Sequence, residues 1–329
     1  MIKLIKPEDE LFIIHNLKEP YFKSDKKNIH EIILKPNSKI ICDFLISPNI
    51  INSLNLDVCL FPKDVIPYRI NCKKIVTILD IGHFRPEFNA YGGLDNVYMR
   101  FMIKSSCKRA DKIISISENT KKELIDILNI SKDKIKTIHL ATSFKRFLKK
   151  KNKLSNYIFY SGSISPRKNL LILIKAFERL ENKNVLLYIT GNNMWNNKKE
   201  MRLIKNNPKI KVLGLVSKEE LINLYQHALV GVYPSLYEGF GLPILEAQAC
   251  GCPVITSNVS SMPEVAGKGA LLVNPYSINE ITNAMKKILK DKKLRGRLIK
   301  EGFKNVKMFS WKKCARETMK VCGGIYKNV

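Results

Sequence analysis

Short apolar runs alternate with segments of helical spacing along most of the chain. In the first half the runs Leu11–Ile14, Ile40–Leu45, Val58–Phe61, Ile75–Leu79 and Lys112–Ile116 read as strands. In the second half Tyr157–Tyr160, Val185–Thr190, Ile210–Leu213, Val230–Pro234 and Pro253–Thr256 read the same way. Between the later runs lie segments of helix length. After Pro166, for example, Leu170, Leu173, Ile174, Phe177 and Leu180 fall on one helical face. Alternation of this kind implies parallel sheets covered by helices on both sides, hence an α/β protein.

With 329 residues, the chain exceeds the size at which one core keeps growing, so two domains are expected. The Lys-rich stretch 149–153 has linker composition and divides them, giving residues 1–150 and 151–310. A last helix from Trp311 to Tyr326, within 311–329, follows the second block and could pack back on the first domain. No repeat of fixed period and no low-complexity segment interrupts the pattern.

Composition adds less than it first promises. The formal charge of +28 favours anionic partners, from phosphate-bearing small molecules to an anionic membrane surface. A coding bias towards Lys, Ile and Asn explains the same excess, so charge alone names no partner. No nucleic-acid reading motif accompanies it, and nucleic acid is not an expected partner. The eight cysteines form no CxxC pair and look like reduced, buried thiols of a cytoplasmic protein. The five histidines are dispersed and there is no DxD pair, so neither a metal nor another cofactor is expected. Neither a signal peptide nor a membrane-spanning run is visible, so a soluble protein, peripheral at most on the inner membrane face, is expected.

Chemistry is concentrated after residue 155. In Tyr160-Ser-Gly-Ser-Ile-Ser-Pro-Arg-Lys-Asn169 a strand ends, Gly162 permits a turn, and Ser165 with Pro166 reads as a helix start. Arg167 and Lys168 would then lie in an opening helical turn, where basic side chains are unfavourable unless an anion is bound. Two solvated basic residues on a capped helix fit the same spacing. The stretch Tyr233–Gly251 is more specific: a strand runs into a loop with Gly239 and Gly241, and Pro243 opens a helix. The N–H groups of Gly241 and Leu242 would face phosphate oxygens at that helix start. Glu246, one turn in, can accept hydrogen bonds from the two hydroxyls of a ribose, and Glu238 would face the sugar or its phosphates.

These residues resemble the family-4 glycosyltransferases, retaining enzymes of the GT-B fold, and in particular the mannosyltransferase-like branch that builds surface polysaccharides. The resemblance rests on Tyr160-Ser-Gly-Ser-Ile-Ser-Pro-Arg-Lys-Asn-Leu170 and Pro234-Ser-Leu-Tyr-Glu-Gly-Phe-Gly-Leu-Pro-Ile-Leu-Glu-Ala247. Gly251–Ser257 and Met262–Gly267 extend it. It implies two Rossmann-like domains with a cleft between them, and metal-independent transfer of a hexose, mannose among the candidates. The donor would be a GDP- or UDP-sugar, and the acceptor a glycan or lipid-linked molecule.

By the same resemblance Glu246 binds the ribose, Glu238 contacts the donor sugar, and Lys168 with Arg167 holds the diphosphate. Ser163 stands where many relatives carry an Arg. Backbone around Gly214, Leu215 and Val216 would form the base pocket. On the acceptor side the resemblance points to Asp80 and His83, with Ser117, an expected N-cap, or Glu118 bordering the cleft. One departure stands out: the first glycine is Gly82, so the Gly-rich turn that usually follows the first strand is lost or replaced. That leaves a second reading, a catalytically impaired sugar-nucleotide-binding or scaffold protein of the same fold.

Overall fold

The computed structural model describes residues 1–16, 26–34, 41–88, 93–144, 155–182, 184–192 and 198–326. The expected linker at 149–153 and the segment following the first strand lie outside the described residues.

Twelve strands are present among them: β1 (Leu11–His15), β2 (Ile29–Ile33), β3 (Val58–Phe61), β4 (Lys73–Ile78), β5 (Lys112–Ser115), β6 (Ile135–Thr137), β7 (Tyr157–Ser161), β8 (Leu186–Thr190), β9 (Ile210–Gly214), β10 (Val230–Tyr233), β11 (Val254–Ser257) and β12 (Ala270–Val273). They form a pair β1-β2, a sheet of order β3-β4-β5-β6, and a sheet of order β12-β11-β10-β7-β8-β9. Every strand pairing among the described residues is parallel. The chain is thus α/β, with two Rossmann-like domains.

The central strands β10 and β11 are buried along their whole length, as strands covered on both faces must be. Their side chains join those of β7, β8 and the helix Leu170–Glu178 in the largest core. A second core surrounds β4 and β5. The C-terminal helix Trp311–Tyr326 sends Ile325 against Ile75 and Ile114 of β4 and β5. All eight cysteines are free; Cys107, Cys250 and Cys252 are buried and the other five half-buried.

Two local expectations need correction. Ile40–Leu45 is not a strand: Cys42–Ile46 is a π-helical turn that continues into the helix Ser47–Ser53, while Ile40 itself is outside the described residues. A short apolar run does not distinguish helix from strand, and Pro48 in the first helical turn favours the helix. Three short strands, β2, β6 and β12, were not expected at all.

The second correction concerns the turn after β7. Ser165 is extended but makes no side-chain capping bond, and Pro166–Lys168 is a single 3-10 turn. Asn169 then adopts a left-handed conformation (φ 58°), and the α-helix begins only at Leu170. The reason is the Asn169 amide, which is buried and donates to the carbonyls of Pro234 (2.9 Å) and Pro275 (2.8 Å). Asparagine tolerates left-handed backbone better than other residues with a side chain. Arg167 and Lys168 are therefore held in a tight turn instead of lining a helix start.

Asn169→Ala leaves two buried carbonyls without a donor and places alanine in left-handed backbone. It should lower the unfolding free energy by about 2–4 kcal/mol in urea titration. A loss below about 0.5 kcal/mol would show that the turn does not depend on this amide.

Candidate active site

In the six-stranded sheet β7 has β8 on one side and β10 on the other, so the strand order reverses between β7 and β10. Loops leaving neighbouring strands at such a point diverge and open a crevice at their carboxyl ends. Register keeps the rim level: Ser161 pairs with Thr190, and Tyr233 with Thr256. The loop after β7 carries Arg167 and Lys168; the loop after β10 carries Ser235, Glu238 and Gly241.

Glu238 organises the crevice. Its carboxylate is buried and accepts from Lys168 Nζ at 2.5 Å and from the Ser235 hydroxyl at 2.8 Å. The Arg167 guanidinium lies 3.5 Å from its other oxygen. Burial pushes the carboxyl pKa up, but the charges of Lys168 and Arg167 outweigh that and hold it below the usual carboxylate range. The loops are also joined through backbone: Leu236 N–H donates to Arg167 C=O at 2.8 Å. Lys168, Glu238, Ser235, Ser161, Tyr233 and Gly241 line one small pocket at this point.

Gly241 ends the loop in a left-handed conformation (φ 106°), and the helix Leu242–Ala249 follows with Pro243 in its first turn. Glu246 projects from that helix and accepts from the Tyr225 hydroxyl at 3.3 Å. Neither Glu246 nor Tyr225 is among the residues that line the small pocket beside Lys168, to which the helix contributes Pro243 and Ile244. Burial raises the Glu246 pKa, and the Tyr225 hydrogen bond and the Lys218 charge offset this only in part. A half-buried carboxylate of this kind gains from additional hydroxyl donors. Tyr225 was not singled out in the sequence, where an apolar-face tyrosine reads as core.

The remaining residues expected on the donor side gather around Gly191, a glycine not singled out in the sequence. A side chain on Gly191 (φ 137°) would put its Cβ 2.1 Å from Gly162 C=O, so the ends of β7 and β8 can meet only through glycine. Gly191 N–H and the Thr190 hydroxyl both donate to Gly214 C=O, at 2.9 and 2.6 Å. Gly214 itself is left-handed (φ 69°) and absorbs a shift of register between β8 and β9. Leu215 is exposed beyond it and Val216 half-buried. Ser163 C=O accepts from the buried Tyr160 hydroxyl at 2.9 Å.

From the other domain, Asp80 accepts from Gly82 N–H at 2.8 Å, and His83 Nδ1 pairs with Asn96 at 2.9 Å. Asp80 faces the Glu238 loop directly: a Cβ on Gly239 would lie 2.1 Å from Leu79 C=O and 2.9 Å from Asp80 Cβ. Tyr237 crosses the same boundary. Its hydroxyl accepts from Ile81 N–H at 3.1 Å and donates to Glu123 at 2.8 Å, and Glu123 pairs with Arg85 at 3.1 Å. Burial raises the Glu123 pKa despite those partners. Ser117 caps the helix Glu118–Leu128, accepting from Thr120 N–H at 3.0 Å.

Comparison with known proteins bears on this geometry. Residues 142–305 match the family of glycosyl transferases group 1. The chain is 33% identical over 277 residues to the O-antigen chain mannosyltransferase B of Escherichia coli, covering 78% of this chain and 72% of that protein. It is 33% identical over 215 residues to the O-antigen chain mannosyltransferase RfbU of Salmonella typhimurium, covering 65% of this chain and 60% of that one. The fold matches the sucrose-phosphate synthase of Thermosynechococcus elongatus with a TM-score of 0.78 at 20% identity, over 97% of this chain and 89% of that structure. With its Glu238–Lys168 crevice at the reversal point of a parallel sheet and relatives at this level of identity, the chain belongs to the group 1 glycosyl transferases.

Proposed function

We propose that this glycosyltransferase moves a hexose, mannose in the first instance, from a GDP- or UDP-sugar to a glycan or lipid-linked acceptor of a surface polysaccharide. The observation that carries the reading is the buried Glu238 carboxylate held against Lys168 and Arg167 in the crevice between β7 and β10. One Lys168 N–H goes to Glu238, which aims the ammonium at the pocket. A donor diphosphate would take its further hydrogen bonds, with Gly241 and Leu242 N–H groups at the helix start. Glu246 would accept from the ribose hydroxyls, and Glu238 would meet the sugar. Negative charge developing on the departing diphosphate would be stabilised by Lys168 and Arg167. No enzymatic nucleophile is assigned; same-face displacement, with the leaving phosphate helping to deprotonate the acceptor, accounts for retention. The mannosyl preference and the polysaccharide setting rest on the two O-antigen relatives.

The acceptor side supports a hold on an anionic membrane surface. Along the helix Gly93–Arg109, Leu94 (89% exposed), Val97 (66%) and Phe101 (59%) follow one another on one line, continued by exposed Lys104 and Lys108. Phe44 stacks on Tyr68 at 5.1 Å and Tyr68 on Phe101 at 6.4 Å, with exposed Ile41 and Leu45 beside Phe44. An apolar patch bordered by lysines suits the boundary of anionic headgroups and acyl chains. The same helix carries Asn96, the partner of His83. Among the described residues no helix is long and apolar enough to cross a membrane.

Lys168→Ala and Glu246→Ala should each weaken calorimetric binding of UDP or GDP by about 10- to 100-fold, the loss of one charged hydrogen bond. Unchanged affinity for both nucleotides in both variants would overturn the donor-site assignment, and donor turnover by the wild type excludes the scaffold reading. Val97→Ser with Phe101→Ser should sharply reduce co-sedimentation with phosphatidylglycerol vesicles, leaving nucleotide affinity intact. Equal co-sedimentation of variant and wild type would dismiss the membrane surface.

A further inference from the structure

We infer that Glu264 is a positioning residue: it fastens the acceptor-side domain to the donor domain and thereby sets where Glu238 stands. Glu264 lies in the short helix Met262–Ala266 that follows β11. Its two oxygens accept from Glu118 N–H at 2.9 and 3.0 Å, and one of them from Asn119 N–H at 3.4 Å. Those are the first residues of the helix Glu118–Leu128, which connects β5 to β6 in the other domain. His139, just beyond β6, reaches the same carboxylate at 2.5 Å.

The chemistry explains why a carboxylate belongs there. A helix leaves its first N–H groups without intrahelical partners, and its N-terminus is partially positive. Ser117 satisfies Thr120 N–H from within the domain. Glu264 supplies acceptors for Glu118 and Asn119 from the opposite domain, so the cap of this helix is completed only when the domains touch. Burial pushes the Glu264 pKa up, and the His139 hydrogen bond together with those N–H groups brings it below the ordinary carboxylate range.

From the same helix the contact continues to Glu238. The Asn119 side chain donates to Ser260 Oγ at 3.4 Å, and Ser260 Oγ accepts from Glu238 N–H at 3.2 Å and donates to Glu238 C=O at 2.7 Å. Ser260 is held in left-handed backbone (φ 56°), costly for serine unless its side chain is fixed in this way. Thr120 Oγ1 lies 3.4 Å from Gly239 C=O, and Glu123 receives the Tyr237 hydroxyl. The residues on both sides of Glu238 are thus held by the helix that Glu264 caps, although none of the hydrogen bonds of Glu264 goes to that loop.

The inference rests on Glu238 meeting the donor sugar, and its test separates the two. Glu264→Ala and Glu264→Gln are compared with the wild type by hydrogen exchange, by calorimetry with UDP and GDP, and by donor turnover. In Glu264→Ala the amides of residues 236–241 should exchange at least about fivefold faster, as a loop losing its support does. Nucleotide affinity should stay within about threefold while kcat falls about tenfold or more, with Glu264→Gln between the two. Unchanged exchange in 236–241 would overturn the inference, as would equal losses in nucleotide affinity and kcat. Should Glu264→Ala not fold, Glu264→Gln and His139→Gln carry the same comparison. If the wild type turns over no donor, the glycosyl-transfer reading fails, yet the exchange arm still decides whether Glu264 supports the loop.

Discussion

A carboxylate buried as deeply as Glu238 cannot remain ionised without partners, because desolvation would otherwise neutralise it. That constraint shapes the donor domain. The partners must come from the neighbouring strand's loop, so Lys168 and Arg167 are drawn across the crevice between β7 and β10. Asn169, next in sequence, turns left-handed and bonds to the far loop through its amide. Two loops that a parallel sheet would splay apart become one unit, and the lysine proposed to hold the diphosphate is fixed by Glu238.

The second domain is joined to this unit and not merely tethered beside it. Tyr237, Gly239 and Ser260 each meet a group from the acceptor side within a few residues of Glu238 in space or sequence. Such an arrangement makes the placement of the Glu238 carboxylate a property of both domains. Binding energy from the acceptor half can then bear on the donor half, which is how a two-domain cleft commits two substrates together.

Much of this was legible in the chain. The strand–Gly loop–Pro–helix context made Glu238 and Glu246 conspicuous, and Lys168 followed from its place after a strand end. The turn around Ser165 was misread because Ser-Pro at a strand end suits a helix N-cap and a 3-10 turn equally; what decides is the buried amide of Asn169, whose acceptors are Pro234 and Pro275. Ile40–Leu45 failed for a related reason, since five apolar residues around Asp43 carry no period of their own. Glu264 was visible inside a recognised motif, yet its role was not. Its partners lie 146, 145 and 125 residues away, and no local pattern encodes a cap supplied from another domain. Gly191 did have a signal, a glycine directly after an apolar strand, which marks close backbone approach.

The approach of Gly239 to Leu79 has an evolutionary corollary. There the donor loop touches its neighbour largely through main-chain atoms, with a carbonyl oxygen occupying the space a methyl group would need. Side chains of the first domain that take no part in the contacts with Glu264, Tyr237 and Ser260 can therefore diversify without altering the seam. One sugar-nucleotide module can in this way be retained through a lineage while the molecule it glycosylates changes.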